Sequence, residues 1–182
     1  REKKFSEKLL RYLKKKISIP YQFKEGDEKE IIIKVENFCA YTERWEADVI
    51  KKLKSWKVPK ELFPEITEYL KEQKFIHQER FGQLFTNGKF KLKGWGKQKI
   101  KVHLMSKQVD DIIIEESLSA IEDEVYLEKL NQILSLKLKT MKQEDLFTMK
   151  GKLYRYALQK GYESSLISKW LEENVLMRRC DN

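Results

Sequence analysis

The residues best equipped for chemistry in this chain are lysines. Lys89, Lys91, Lys93, Lys97, Lys99 and Lys101 crowd into one short stretch, and no acidic residue occurs between Glu79 and Asp110. Ammonium groups at that density suit polyphosphate or an acidic protein surface. Phe90, Leu92 and Trp95 interleave with them. Trp95 can stack on a base or pin a turn into the core, and the core role is the more ordinary of the two. Lys93-Gly-Trp-Gly96 begins like an RNA-recognition strand, but Lys97-Gln98 follows where that motif needs Phe-Val.

Other chemistry is poorly supplied. The 2 histidines, His77 and His103, have no Cys, His or paired carboxylates at metal-ligand spacing. Gly151-Lys152 lacks the upstream glycine and the following hydroxyl of a phosphate loop, and there is no nucleophile elbow. These absences predict a protein with no catalytic residues, cofactor or metal. Cys39 and Cys180 are too few for a disulfide framework and are read as reduced thiols in the cytoplasm.

The elements that must position the lysines are helices. Only 7 glycines and 3 prolines punctuate 182 residues, which argues against a sheet with many turns. Charged residues make up 37%, and 38 basic against 29 acidic groups leave a net charge of +9. No apolar run approaches a membrane span. After the lysines the sign reverses: Gln108–Glu128 contains no Lys or Arg, but holds Asp110, Asp111, Glu115, Glu116, Glu122, Asp123, Glu124 and Glu128.

An internal repeat organises the chain. With Val58, Val109 and Tyr162 as anchors, Val49, Ile100 and Leu153 lie nine residues before, and Leu53, Leu104 and Ala157 five before. Leu62, Ile113 and Leu166 lie four after, and Phe63, Ile114 and Ile167 five after. Such columns describe a helix, a short turn near the anchor and a second helix. Further helical stretches, about 30–42, 77–90 and 125–141, precede each hairpin, so each unit should hold three helices. Leu53, Leu104, Ile113 and Leu166 are expected in the core. Before the repeats, Phe5, Leu9, Leu13 and Ile17 form the stripe of a basic helix that should dock on the adjacent unit, ended by Ile19-Pro20.

Phe38-Cys-Ala-Tyr-Thr-Glu-Arg44 with Val49-Ile-Lys-Lys-Leu53 resembles the opening repeat of the RecX family, bacterial modulators of the RecA recombinase. Phe75-Ile-His-Gln-Glu-Arg-Phe-Gly-Gln-Leu-Phe85 is similar to that family's "ERF…F" signature, and Lys93-Gly-Trp-Gly-Lys-Gln-Lys-Ile100 to its "WG..KI" element. Lys152–Leu171, with Lys160-Gly-Tyr162, resembles the closing repeat.

The resemblance implies an elongated all-α array of three tandem three-helix repeats with an N-terminal helical extension. The divisions would be a basic helix and linker (1–34) and repeats at 35–75, 76–122 and 123–178. It implies a monomeric, non-enzymatic, cytoplasmic regulator that binds the RecA–DNA filament and restrains its recombinase, ATPase and coprotease activities. The competing reading is a general nucleic-acid-binding helical protein. Partners would be the RecA filament and single-stranded DNA, with no membrane, and Lys89, Lys91, Lys93, Lys97, Lys99 and Lys101 would form the contact face. Residues Arg1–Ile32 have no obvious place in the pattern, and Trp45 stands where a small helix cap is preferred.

Overall fold

The computed structural model describes residues 27–141 and 145–175; the basic helix expected near the N-terminus lies outside them. Helices are α1 (Asp27–Tyr41), α2 (Glu46–Ser55), α3 (Phe63–Glu72), α4 (Gln78–Lys93) and α5 (Lys97–Ser106), followed by α6 (Asp111–Ser119), α7 (Asp123–Lys139), α8 (Leu146–Lys160) and α9 (Ser164–Val175). A 3-10 turn, Lys60–Leu62, leads into α3, and no strand occurs among the described residues. The chain divides into two compact units, Arg1–Phe81 and Gly82–Asn182. Among the described residues the helices follow one another in three groups of three.

The three hairpins share one turn. At Lys57, Gln108 and Gly161, each the residue before an anchor, the backbone is left-handed, with φ of 58°, 60° and 90°. The anchor N–H then reaches back five residues: Val58 donates to Leu53, Val109 to Leu104 and Tyr162 to Ala157, at 3.1, 3.2 and 3.2 Å. This bond satisfies a carbonyl that the ending helix leaves orphaned, and it pulls the next residue inward. The anchors are accordingly buried.

The columns nine and five residues before the anchors are wholly buried. After the turn the packing moves by one residue. Phe63, Ile114 and Ile167 are buried, while Ile113 and Leu166, expected as core, are only half-buried. In the second and third repeats the register four after the anchor therefore lies at the edge of the apolar stripe and the register five after at its centre, whereas in the first repeat Leu62 and Phe63 are both buried. Twelve residues after the anchors Leu70 and Ile121 are buried, but the third repeat has Asn174 there, exposed, and Val175 is buried instead.

In the first unit, α1–α3 enclose Ile32, Val35, Val49, Leu53, Ile66 and Leu70. The Tyr69 hydroxyl donates to the Glu36 carboxylate at 2.8 Å. Trp45 does occupy the N-cap of α2, and there the following turn does the capping: the Trp45 N–H donates to the Asp48 carboxylate at 3.4 Å. The Trp45 ring is buried against Phe81, with centroids 5.6 Å apart. Arg80 pairs with Glu43 and donates to the Lys74 carbonyl at 2.9 Å. The Glu79-Arg-Phe81 motif thus joins the start of α4 to the α1–α2 connection.

Candidate functional site

The second unit is built around a weld between two chain reversals. Gly94, with φ of 62°, ends α4, and Gly96 is the N-cap of α5. The Gly96 N–H donates to the Lys160 carbonyl at 2.8 Å, and the Gln98 N–H to the Gly161 carbonyl at 3.1 Å. The open N-terminus of α5 therefore satisfies carbonyls at the end of α8. Lysine side chains reinforce the contact in both directions. Lys99 Nζ donates to the Gln159 carbonyl and Lys160 Nζ to the Lys93 carbonyl, each at 3.0 Å.

Approach this close leaves no room for Cβ atoms. A Cβ on Gly96 would meet the Gly161 carbonyl oxygen at 2.2 Å, and one on Gly161 would meet the Lys99 backbone nitrogen at 2.5 Å. Behind the weld lies a buried aromatic group. Tyr126 stacks on Tyr162 at 5.0 Å and packs on Phe90 at 6.0 Å. Its hydroxyl accepts from the Lys97 N–H at 2.9 Å and donates to the Glu163 carboxylate at 2.8 Å. Burial raises the pKa of both tyrosines, and for Tyr126 the hydrogen bond to Glu163 acts in the same direction.

The six lysines separate into three environments around this joint. Lys97 Nζ lies 3.0 Å from the Asp123 carboxylate and 4.8 Å from the centre of the Tyr126 ring. Lys101 Nζ lies 2.5 Å from the Glu115 carboxylate, which raises the lysine's pKa. These two share one face of α5, and that face meets the acidic segment, so part of the sign reversal seen in the sequence is internal pairing. Asp110 serves a further local purpose: its carboxylate accepts from the Ile112 N–H at 2.9 Å and caps α6.

Lys89 and Lys99 flank the half-buried Trp95, their ammonium groups 4.9 and 4.8 Å from its ring centre. The His103 ring also lies against it at 4.6 Å. Trp95 is therefore not a full core residue: its ring is anchored at the turn against His103 and flanked by cations at the surface. Lys91 and Lys93 are exposed on the last turn of α4, with no ion-pair partner among the described residues.

The third repeat extends this face with residues that the sequence reasoning missed. Lys137 and Lys160 stand over the Tyr156 ring at 5.5 and 5.6 Å. Through Lys160 and the Lys93 carbonyl the Tyr156 cluster adjoins the Trp95 cluster. Lys89 also covers Phe85 at 5.1 Å. The result is a lysine–aromatic track from Phe85 through Trp95 to Tyr156, and none of its lysines is ion-paired within the described residues. The signal was present in Lys160-Gly-Tyr162 and in the tyrosines of α8, but only the weld brings α8 beside α4.

Such a track provides cations for phosphates or carboxylates and ring edges for apolar contact. Among the described residues no group of His, Cys, Asp and Glu could hold a metal ion, and no helix is long and apolar enough to cross a membrane.

The chain is similar to known proteins in sequence and in fold. Models for the second and third three-helix domains of RecX match residues 78–118 and 124–171. The regulatory protein RecX of Clostridium tetani is 32% identical over 127 residues, which are 69% of this chain and 58% of that protein. The chain spans about half to three-fifths of the length of such curated relatives. A crystal structure of a regulatory protein RecX superposes with a TM-score of 0.72 at 19% identity, covering 92% of this chain and 87% of that one. That of RecX from Lactobacillus salivarius gives 0.65 at 22% identity, covering 81% and 98%. The matched domains coincide with the welded hairpins, and the chain belongs to the RecX family.

Proposed function

We propose that this chain is a non-enzymatic regulator of RecA, acting in the cytoplasm as a monomer that binds the RecA–DNA filament. Restraint of recombinase, ATPase and coprotease activity would follow from occupying the filament. The observation that carries this reading is the lysine–aromatic track at a rigid joint. A filament offers acidic protein surface together with DNA phosphates, and a row of cations without ion pairs among the described residues meets both with little reorganisation. Lys89, Lys91, Lys93 and Lys99 of the sequence-derived face belong to the track, extended by Lys137 and Lys160. Lys97 and Lys101 are held by Asp123 and Glu115 and act mainly within the fold. The repeat divisions at 35–75, 76–122 and 123–178 are part of the same reading.

A second reading, direct binding of single-stranded nucleic acid without RecA, draws on the same interleaving of rings and cations. RecA ATPase on single-stranded DNA, measured with and without this chain, tests the first. A fall in turnover at protein concentrations that leave bare DNA unbound supports filament binding. Unchanged turnover, or inhibition only where bare DNA is coated, would reject it in favour of the second.

A further inference from the structure

We infer that the first unit carries its own phosphate-binding groove, formed by Phe38, Arg44, Lys51 and Lys52, and that it takes the sugar-phosphate backbone of a single-stranded nucleic acid. The groove encloses about 330 Å³ and is lined by these residues with Asp48 and Ser55, a size at the small end of ligand clefts. Phe38 and Trp56 meet edge to face at 6.1 Å. The Arg44 guanidinium lies 4.2 Å above the Phe38 ring, and its Nε donates to the Phe38 carbonyl at 3.4 Å. The fork is therefore fixed from one side, while its terminal nitrogens hold no partner among the described residues. Lys52 Nζ stands 5.8 Å from the Phe38 ring centre and 5.2 Å from that of Trp56, with no ion-pair partner among the described residues. Lys51 is exposed beside it.

The acidic group at the rim, Asp48, is engaged by the Trp45 N–H at the start of α2. Three cations thus face one carboxylate that already has a role. A planar fork held on a ring and aimed outward suits the paired oxygens of a phosphodiester. The aromatic pair beneath adds contact for sugar or base, which an acidic peptide would not use. This inference concerns residues of the first unit alone and does not depend on the filament reading.

The test is anisotropy of a short fluorescein-labelled oligo-dT with the full chain over a salt series. Arg44→Gln/Lys52→Gln should lower the log–log salt slope by about 1.4, two phosphate contacts at roughly 0.7 each on single strands. The same drop should occur in a chain already carrying Lys89→Gln, Lys91→Gln and Lys93→Gln, so that loss of the track and loss of the groove are read separately. Lys51→Gln/Lys52→Gln, which leaves Arg44 on Phe38, should shift the slope in the same direction with melting unchanged. A slope unaltered in both backgrounds overturns the proposal. So does a loss confined to labelled poly-glutamate, which would make the groove a site for acidic protein.

Discussion

The hairpin of the first repeat and that of the third make the same turn with different residues. Lys57 and Gly161 both sit before the anchor in left-handed backbone, and Gln108 does so in the second repeat. A lysine and a glutamine tolerate that conformation at a cost of about 1 kcal/mol. The turn therefore does not explain the glycine at 161. What requires it is Lys99, whose backbone occupies the space a side chain would need. The first hairpin makes the turn with a lysine, and the third makes it with a glycine that also docks on α5. A glycine in a repeated motif can thus record a neighbour rather than a φ angle.

Breaking that contrast should produce the largest effect. Gly161→Ala and Gly96→Ala each drive a Cβ into backbone, at 2.5 Å from the Lys99 nitrogen and 2.2 Å from the Gly161 carbonyl oxygen respectively. Gly96→Ala should cost about 3 kcal/mol from overpacking, and Gly161→Ala, which adds left-handed strain, about 4 kcal/mol, both read by urea unfolding. Gln108→Gly, at the matching turn without a weld, should instead be neutral or gain up to about 1 kcal/mol. Comparable losses at both kinds of position would show that the weld contributes nothing special.

Core truncations sharpen the comparison within one helix. Ile114→Ala and Ile167→Ala, at fully buried positions, should lose about 2–5 kcal/mol. Ile113→Ala and Leu166→Ala, one residue earlier and half-buried, should lose clearly less, about 1 kcal/mol. Equal losses would restore the register four after the anchor.

A smaller effect follows from ionisation. Burial raises the phenol pKa of Tyr69, Tyr126 and Tyr162 above the ordinary value of 10.0. Groups raised on folding add stability that is complete below the unfolded value and is lost as pH rises past it. Stability should therefore fall above about pH 10, and absorbance titration should find these three of the 8 tyrosines ionising only with unfolding. The buried Cys39 thiol, pushed up to about 11 chiefly by desolvation, should resist alkylation at pH 8 until the chain is denatured.

Helices, hairpins and repeat period were legible because apolar spacing and turn position are local. Gly96 stands thirteen residues before Val109, where the first helix of the hairpin has to begin, and it is the N-cap of α5. The one-residue error at Ile113 and Leu166 arose because adjacent apolar residues, Ile113-Ile114 and Leu166-Ile167, offer two registers and only packing selects one. The lysine face was legible as charge but not as geometry. Lys97 and Lys101 look no different in sequence from Lys91 and Lys93. Their carboxylates, Asp123 and Glu115, lie fourteen or more residues away, and the folded helices bring them together. Tyr156, Lys137 and Lys160 were missed for the converse reason: their relation to Trp95 exists only through the weld between α5 and α8.

The central claim is that the exposed part of the track, and not the paired lysines of α5, restrains RecA. The direct measurement is the single-stranded-DNA-dependent ATPase of RecA titrated with the parent chain, with Lys89→Glu/Lys91→Glu/Lys93→Glu and with Lys97→Gln/Lys101→Gln. The account predicts that the first variant loses restraint by at least about tenfold in the concentration needed, with melting changed by no more than about 0.5 kcal/mol per residue. The second should keep restraint within about threefold, with a small loss of stability from its two ion pairs. The reverse order, or full restraint by the first variant, would contradict it.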